Sequence, residues 1–403
     1  FFSTTKDADN IAIVTINCAD KEVNVISPAM ENETRALMEG LVNDSALAGV
    51  VFVSGKEDFI VGADIDAIGA FKTTEEAGSA AAKLQELFDQ IHKLKVPTVA
   101  AIHGQCLGGG LEWALACTWR VATADDRTKL ALPEIQLGLI PGAGGTQRLP
   151  RLIGIQAALD MILTGKKITG KKAARIGLVD ACVPNNLLMT ESLKLATKSR
   201  APNKLRPLSP GSLSRDLPRW ATEGNPIGRK VMIKKAREMV DKNTKGFYPA
   251  PYKALDVVFD GFEQNMSKGL ALEAKAFGEL AQSRESGSLV HLYYATTHVK
   301  KNPFKNETRE RFGDADVGTI GVLGAGFMGA GIATVCADRN IRVLLSDPSK
   351  ESNARAMKSV RGFFRKKVER KRLRRFEAEK HVSLVSPAVS PVGFNRCDIV
   401  IEA

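Results

Sequence analysis

Residues 98–117 read TVAAIHGQCLGGGLEWALAC. The run 98–104 is short, apolar and β-branched at its start, and Gly104 ends it, which predicts a strand. Residues 113–117 are apolar and helix-forming. Between them stand Gly108, Gly109 and Gly110, poor helix formers at a helix start, followed by Glu112 on a side that should face core. Small residues just beyond a strand end are where α/β proteins place ligands and reacting groups. The stretch therefore poses both the fold and the site.

Working outward, residues 10–16 (NIAIVTI), 48–55 (AGVVFVSG) and 120–125 (RVATAD) are further predicted strands. A helical pattern fills 75–94. Strands and helices alternate, which predicts an α/β domain with both sheet faces covered. Two other segments repeat the glycine-after-strand pattern: DFIVGADIDAI at 58–68 and LALPEIQLGLIPGAGGTQRLPRLIG at 130–154. A helix starting near Gly109 aims free N–H groups outward, and the turn at Ala63 can supply one more. Two such donors make an oxyanion hole for a carbonyl that gains negative charge. Glu112 and Glu134 can then divide acid–base work beside it. PGAGGTQRL (141–149) is read as a structural loop that shapes the pocket, and His103 as a packing residue at a strand end.

A second unit opens at VGTIGVLGAGFMGAGIA, 317–333. Gly324-x-Gly326-x-x-Gly329 follows an apolar strand and opens an apolar helix. A second strand, IRVLLSD, ends in Asp347 about 20 residues on, as the dinucleotide fingerprint requires. Gly324 serves the tight turn, Gly326 the approach of a pyrophosphate, and Gly329 the packing of helix on strand, with the helix N-terminus facing the phosphates. Asp347 would accept from both ribose hydroxyls and repel a 2′-phosphate, which selects NAD over NADP. CDIVIEA, 397–403, reads as the fourth strand. In the order 3-2-1-4-5-6 that strand is internal, so the chain is expected to be part of a longer protein.

Texture divides the chain into 1–190, a mostly helical linker at 191–312, and 313–403. The stretch 200–226 is rich in Pro, Ser and Gly, and 300–316 is polar. Residues 227–300 read as helical with a break at 246–252. The chain has 403 residues and a formal charge of +12, with its densest basic run at 365–375, read as a solvated helix face. There is no long apolar span, no CxxC pair and no histidine spacing for a metal, so no metal is expected. The six scattered cysteines fit free thiols in a reducing compartment. No aromatic interleaving marks a nucleic-acid surface, so no nucleic-acid partner is expected.

GGGLE (108–112), LPEIQLG (132–138) and PGAGGTQRL together resemble the enoyl-CoA hydratase (crotonase) family over about residues 8–190. The C-terminal unit resembles the NAD domain of 3-hydroxyacyl-CoA dehydrogenase. Their order, with KGFYPAP (245–251) and AKAFGELAQS (274–283) between them, resembles the multifunctional α-subunits of fatty acid β-oxidation. The resemblance implies a crotonase-like ββα spiral, a helical linker and a partial Rossmann domain. It implies that Ala63 and Gly109 hold the thioester oxygen of a trans-2-enoyl-CoA, Glu112 deprotonates water, and Glu134 protonates the α-carbon. The product is a 3-hydroxyacyl-CoA, and Δ3-Δ2-enoyl-CoA isomerisation could use the same pair. In the second unit it carries over Gly324, Gly326, Met328, Gly329 and Asp347, and places the dehydrogenase's catalytic His and its Glu partner beyond Ala403. It further implies NAD as cofactor, a coenzyme A thioester as substrate, a thiolase β-subunit as partner, possible peripheral membrane contact, and the bacterial cytoplasm or, alternatively, the mitochondrial matrix. The competing readings are another crotonase-type acyl-CoA enzyme and a non-catalytic basic binding module.

Overall fold

The computed structural model describes residues 1–19, 21–198, 223–300, 317–370 and 372–403. The stretches 200–226 and 300–316, read above as linker and boundary, lie largely outside the described residues. Two compact units result, Phe1–Lys300 and Lys301–Ala403.

The first unit is built by a repeating path. A strand enters a six-stranded sheet, a short strand enters a four-stranded sheet, and a helix follows. The large sheet has the order β1 (Phe2–Lys6), β2 (Ile11–Ile16), β3 (Gly49–Ser54), β5 (Thr98–Ile102), β7 (Trp119–Thr123), β10 (Ala181–Val183). All its pairs are parallel except β1 on β2. The small sheet runs β4 (Ile60–Val61), β6 (Gln105–Leu107), β8 (Lys129–Ala131), β9 (Ile168–Thr169). So β3 leads to β4, β5 to β6 and β7 to β8, which is the ββα spiral. Strands β2, β3, β5 and β7 and the helix Thr74–Lys93 match the sequence expectation within two residues. The small sheet escaped it: its strands are two or three residues long, too short for a period-2 pattern to register.

β1 was also missed. Its residues are mostly exposed, but Phe2 stacks on Trp113, which Phe52 and Phe88 meet edge-on at 5.4 and 5.7 Å. Trp113 anchors the helix Gly109–Ala116, every residue of which is buried. Helices Pro226–Thr244, Pro249–Phe262, Met266–Ala281 and Arg284–Lys300 belong to this same unit. Met266–Ala281 packs along Thr74–Lys93, with Leu270, Ala274, Phe277 and Leu280 on its buried face.

The second unit is a four-stranded parallel sheet in the order β13 (Val385–Ala388), β12 (Arg342–Ser346), β11 (Thr319–Leu323), β14 (Ile399–Glu402). In chain order this is 3-2-1-4, as a doubly wound dinucleotide sheet begins. β14 is an edge of this sheet, with Ile399 and Val400 exposed.

Candidate active site

A cleft of 1010 Å³ in the first unit is lined by all four residues singled out there: Ala63, Gly109, Glu112 and Glu134. The three glycines now have separate reasons. Gly108 has φ +53°, and a Cβ there would meet the Glu134 carboxylate at 3.0 Å. A Cβ on Gly109 would crowd Ile26 Cδ1 at 2.9 Å, with the Ala63 nitrogen 3.8 Å away. A Cβ on Gly110 would be driven into the Ile60 carbonyl of β4. The helix N-terminus is thus pressed against the small sheet and the Ala63 turn.

Both residues proposed as donors line the cleft. The turn at Ala63 bridges to Ile26 through the Ile26 N–H on the Gly62 carbonyl and the Asp64 N–H on the Ile26 carbonyl, both 2.9 Å. The Ala63 N–H takes no part in that bridge. Gly109 is the first residue of its helix, where an N–H has no intrahelical acceptor.

Glu112 is buried, yet it does not cap its own helix. Its Oε1 accepts from the N–H groups of Ala143 (2.8 Å) and Gly145 (2.7 Å). The stretch 141–149, read from sequence as a structural loop, is a loop only to Gly144; Gly145–Ile153 is a helix, and the backbone at its start aims a carboxylate. Glu134 opens the short 3-10 turn Glu134–Leu137 after Pro133, and its buried Oε2 has no hydrogen-bond partner among the described residues.

Burial, and after it the nearby Glu134 and Glu273 charges, pushes the Glu112 carboxyl well above the usual range, against its two N–H donors. Burial also pushes Glu134 up to about 8, with Glu273 adding to the rise. Two buried carboxyls this strongly coupled titrate as a pair. Two N–H donors favour charge on Glu112, against its burial, whereas Glu134 Oε2 has no such donor among the described residues.

Glu273 was not anticipated. It is fully buried, on the helix Met266–Ala281. Its Oε1 accepts from Gly144 N–H (2.5 Å) and the Gln85 amide (3.0 Å), and its Oε2 from the Thr146 N–H (2.8 Å) and hydroxyl (2.5 Å). One signal could have found it: Glu273 stands at helical spacing with Leu270, Phe277 and Leu280, a carboxylate on an apolar stripe.

In the second unit, Gly324 has φ +96°, and a Cβ on Gly329 would strike the Gly324 carbonyl. Gly326 caps the helix Phe327–Asp338, and a Cβ there would meet nothing within 4 Å, so its face is open to a ligand. Met328 is exposed at the second position of that helix. Asp347 follows β12, and its carboxylate accepts from Ala325 N–H (2.9 Å) in the glycine loop and Ser349 N–H (2.8 Å). These two donors hold it below the usual carboxylate range. An open phosphate-facing helix start with an ionised acid beside it fits a dinucleotide. The six cysteines are free thiols, and no group of three or more His, Cys, Asp or Glu among the described residues could hold a metal ion.

Comparison with known proteins agrees with both units. The family model "Enoyl-CoA hydratase/isomerase" matches residues 6–210, just over half of the chain. The model "3-hydroxyacyl-CoA dehydrogenase, NAD binding domain" matches residues 319–403. Among solved structures, Pseudomonas aeruginosa DspI is 31% identical over 58% of this chain and 94% of its own, with a TM-score of 0.45. Enoyl-CoA hydratase from Bacillus anthracis is 24% identical over 73% of this chain and 96% of its own, at 0.45. A putative enoyl-CoA hydratase from Streptomyces avermitilis is 20% identical over 77% and 94%, at 0.51, a likeness of fold. The chain belongs to the enoyl-CoA hydratase/isomerase family and joins that domain to a 3-hydroxyacyl-CoA dehydrogenase NAD-binding domain, a fused hydratase/dehydrogenase of fatty acid β-oxidation.

Proposed function

We propose that the first unit adds water across the 2,3 double bond of a trans-2-enoyl-CoA, with Glu112, Glu134, Ala63 and Gly109 as its working groups. The observation that carries this reading is the convergence of the two donor residues and two unlike buried carboxyls on one cleft. Glu112, ionised, takes a proton from water as the oxygen bonds to C3. The displaced electron pair moves to the thioester oxygen, where Ala63 and Gly109 N–H groups meet the charge. Glu134 gives its proton to C2, and the 3-hydroxyacyl-CoA leaves the pair with the proton on Glu112. The same groups can move a proton between C2 and C4, which is Δ3-Δ2 isomerisation. Lys83 and Lys167 also line the cleft and are suitably charged for coenzyme A phosphates.

The test follows loss of the conjugated enoyl-thioester absorbance with crotonyl-CoA and 2-decenoyl-CoA. Rapid loss with both or either supports hydration. No loss on either, with a folded protein, sinks it and favours an isomerase or a binding module. The pH profile should match the pair. Activity needs a proton on Glu134, so it is expected to fall as pH rises through about 8, where Glu134 loses it. A profile still rising at pH 9 would contradict the assignment.

In the second unit, Gly324, Gly326, Met328, Gly329 and Asp347 would hold NAD, which when bound supplies a hydride acceptor. Gly329→Ala is expected to weaken NAD binding by at least about tenfold in calorimetry, because the new methyl pushes the helix N-terminus off β11. Unaltered affinity would remove that role. A thiolase β-subunit as partner, peripheral membrane contact, and the bacterial cytoplasm ahead of the mitochondrial matrix belong to the same reading. No helix among the described residues is long and apolar enough to cross a membrane.

A further inference from the structure

Four consecutive N–H groups at 143–146, where a loop runs into the helix Gly145–Ile153, point alternately to two carboxylates. Ala143 and Gly145 donate to Glu112, and Gly144 and Thr146 donate to Glu273. The segment is therefore gripped from both sides, and each grip fixes the other's aim. Glu273 lies outside residues 6–210, the extent of the hydratase family match. All four of its contacts come from groups able to donate. The Thr146 hydroxyl accepts from the Gln147 amide at 3.0 Å, which turns its own hydrogen towards Glu273. Gln85 adds a tie, since its amide reaches the Gly142 carbonyl (3.0 Å) as well as Glu273.

We propose that Glu273 is a positioning residue for hydration: from the helix Met266–Ala281 it sets the segment 143–146, and through that segment's N–H groups the place and charge of Glu112. The proposal rests on the hydratase reading above and extends it to a part of the chain that composition marks as connection. Glu273 touches no reacting atom. Its loss should leave substrate binding nearly intact and strike the chemical step, because a small displacement of a reacting group is costly.

The test compares wild type with Glu273→Gln on crotonyl-CoA. Glutamine keeps the shape, but its NH2 group must face the Thr146 donors or the Gly144 and Gln85 donors, so one side of the grip fails. The expected result is a kcat lower by about 10–100-fold with KM within about threefold. The fall at high pH should also begin at lower pH, since a negative charge that favours protonation of Glu112 and Glu134 is gone. A variant with a lowered melting temperature but wild-type kcat and pH profile makes Glu273 merely structural and overturns the proposal. If Glu273→Gln gives no cooperative melt, Thr146→Val decides. It removes one donor to Glu273, and an expected kcat loss of about fivefold should be restored by Thr146→Ser; wild-type kcat in Thr146→Val overturns the proposal. A wild-type chain that hydrates nothing overturns the hydratase reading and this proposal together. An active wild type with indifferent variants overturns this proposal alone.

Discussion

Glu134→Gln is expected to lower kcat for hydration by about 10²–10⁴-fold, the span that a positioned general acid contributes. The amide cannot release a proton to C2, and it occupies nearly the same volume. The fold should not notice. Glu134 Oε2 has no hydrogen-bond partner among the described residues, so an NH2 group in its place breaks no protein contact. The melting temperature should therefore stay at its wild-type value while turnover collapses. That split separates this residue from Glu112, whose Oε1 holds two backbone N–H groups. Measured side by side, kcat and thermal midpoint decide the matter: an active Glu134→Gln, or one that has lost both activity and stability, removes the residue from the role of acid.

The second large effect is on stability. Gly110→Ala would ordinarily help a helix by up to about 1 kcal/mol. Here the new methyl is driven into the Ile60 carbonyl and lies 2.7 Å from the Ile60 side chain. Ile60 is in β4, paired to β6 through Cys106, so it cannot give way alone. Overpacking of this kind costs about 1–3 kcal/mol and occasionally more, against backbone towards the upper end. The clash wins, and a net loss of about 2 kcal/mol is expected. The urea midpoint should fall, and activity with it, because Gly109 and Glu112 move with the helix. A variant as stable and active as wild type would mean that the close approach of helix and small sheet is dispensable.

Much of this was legible beforehand where a pattern is local. Four strands of the large sheet announced themselves by apolar runs, two of them ended by glycine. The loop at 324–329 did so by spacing, and the cleft residues by falling just after strands. The two-residue strands of the small sheet carry no pattern, so the position of β4 under Gly110 could only be seen in three dimensions. Glu273 was hidden for a different reason. Its neighbours form an ordinary helical stripe, and its partners, Gln85, Gly144 and Thr146, are remote in sequence. Local reading assigned the helices after residue 226 to connection, whereas Phe277, Leu289 and Tyr293 help line the cleft.

Gly144 and Glu273 are joined across 129 residues, and Gln85 and Glu273 across 188. On a ribosome moving at 5–20 residues per second, roughly 6–26 s separate synthesis of the first pair's members. Throughout that interval the nascent chain carries Glu112 and Glu134, but the segment 143–146 that holds Glu112 lacks its contacts to Glu273. Catalytic competence is then an event in time as well as a place in space. On the roles proposed above it arrives only after the helix at 266–281 has emerged, so a chain cut short before that helix holds Glu112 and Glu134 without the Glu273 contacts to residues 143–146.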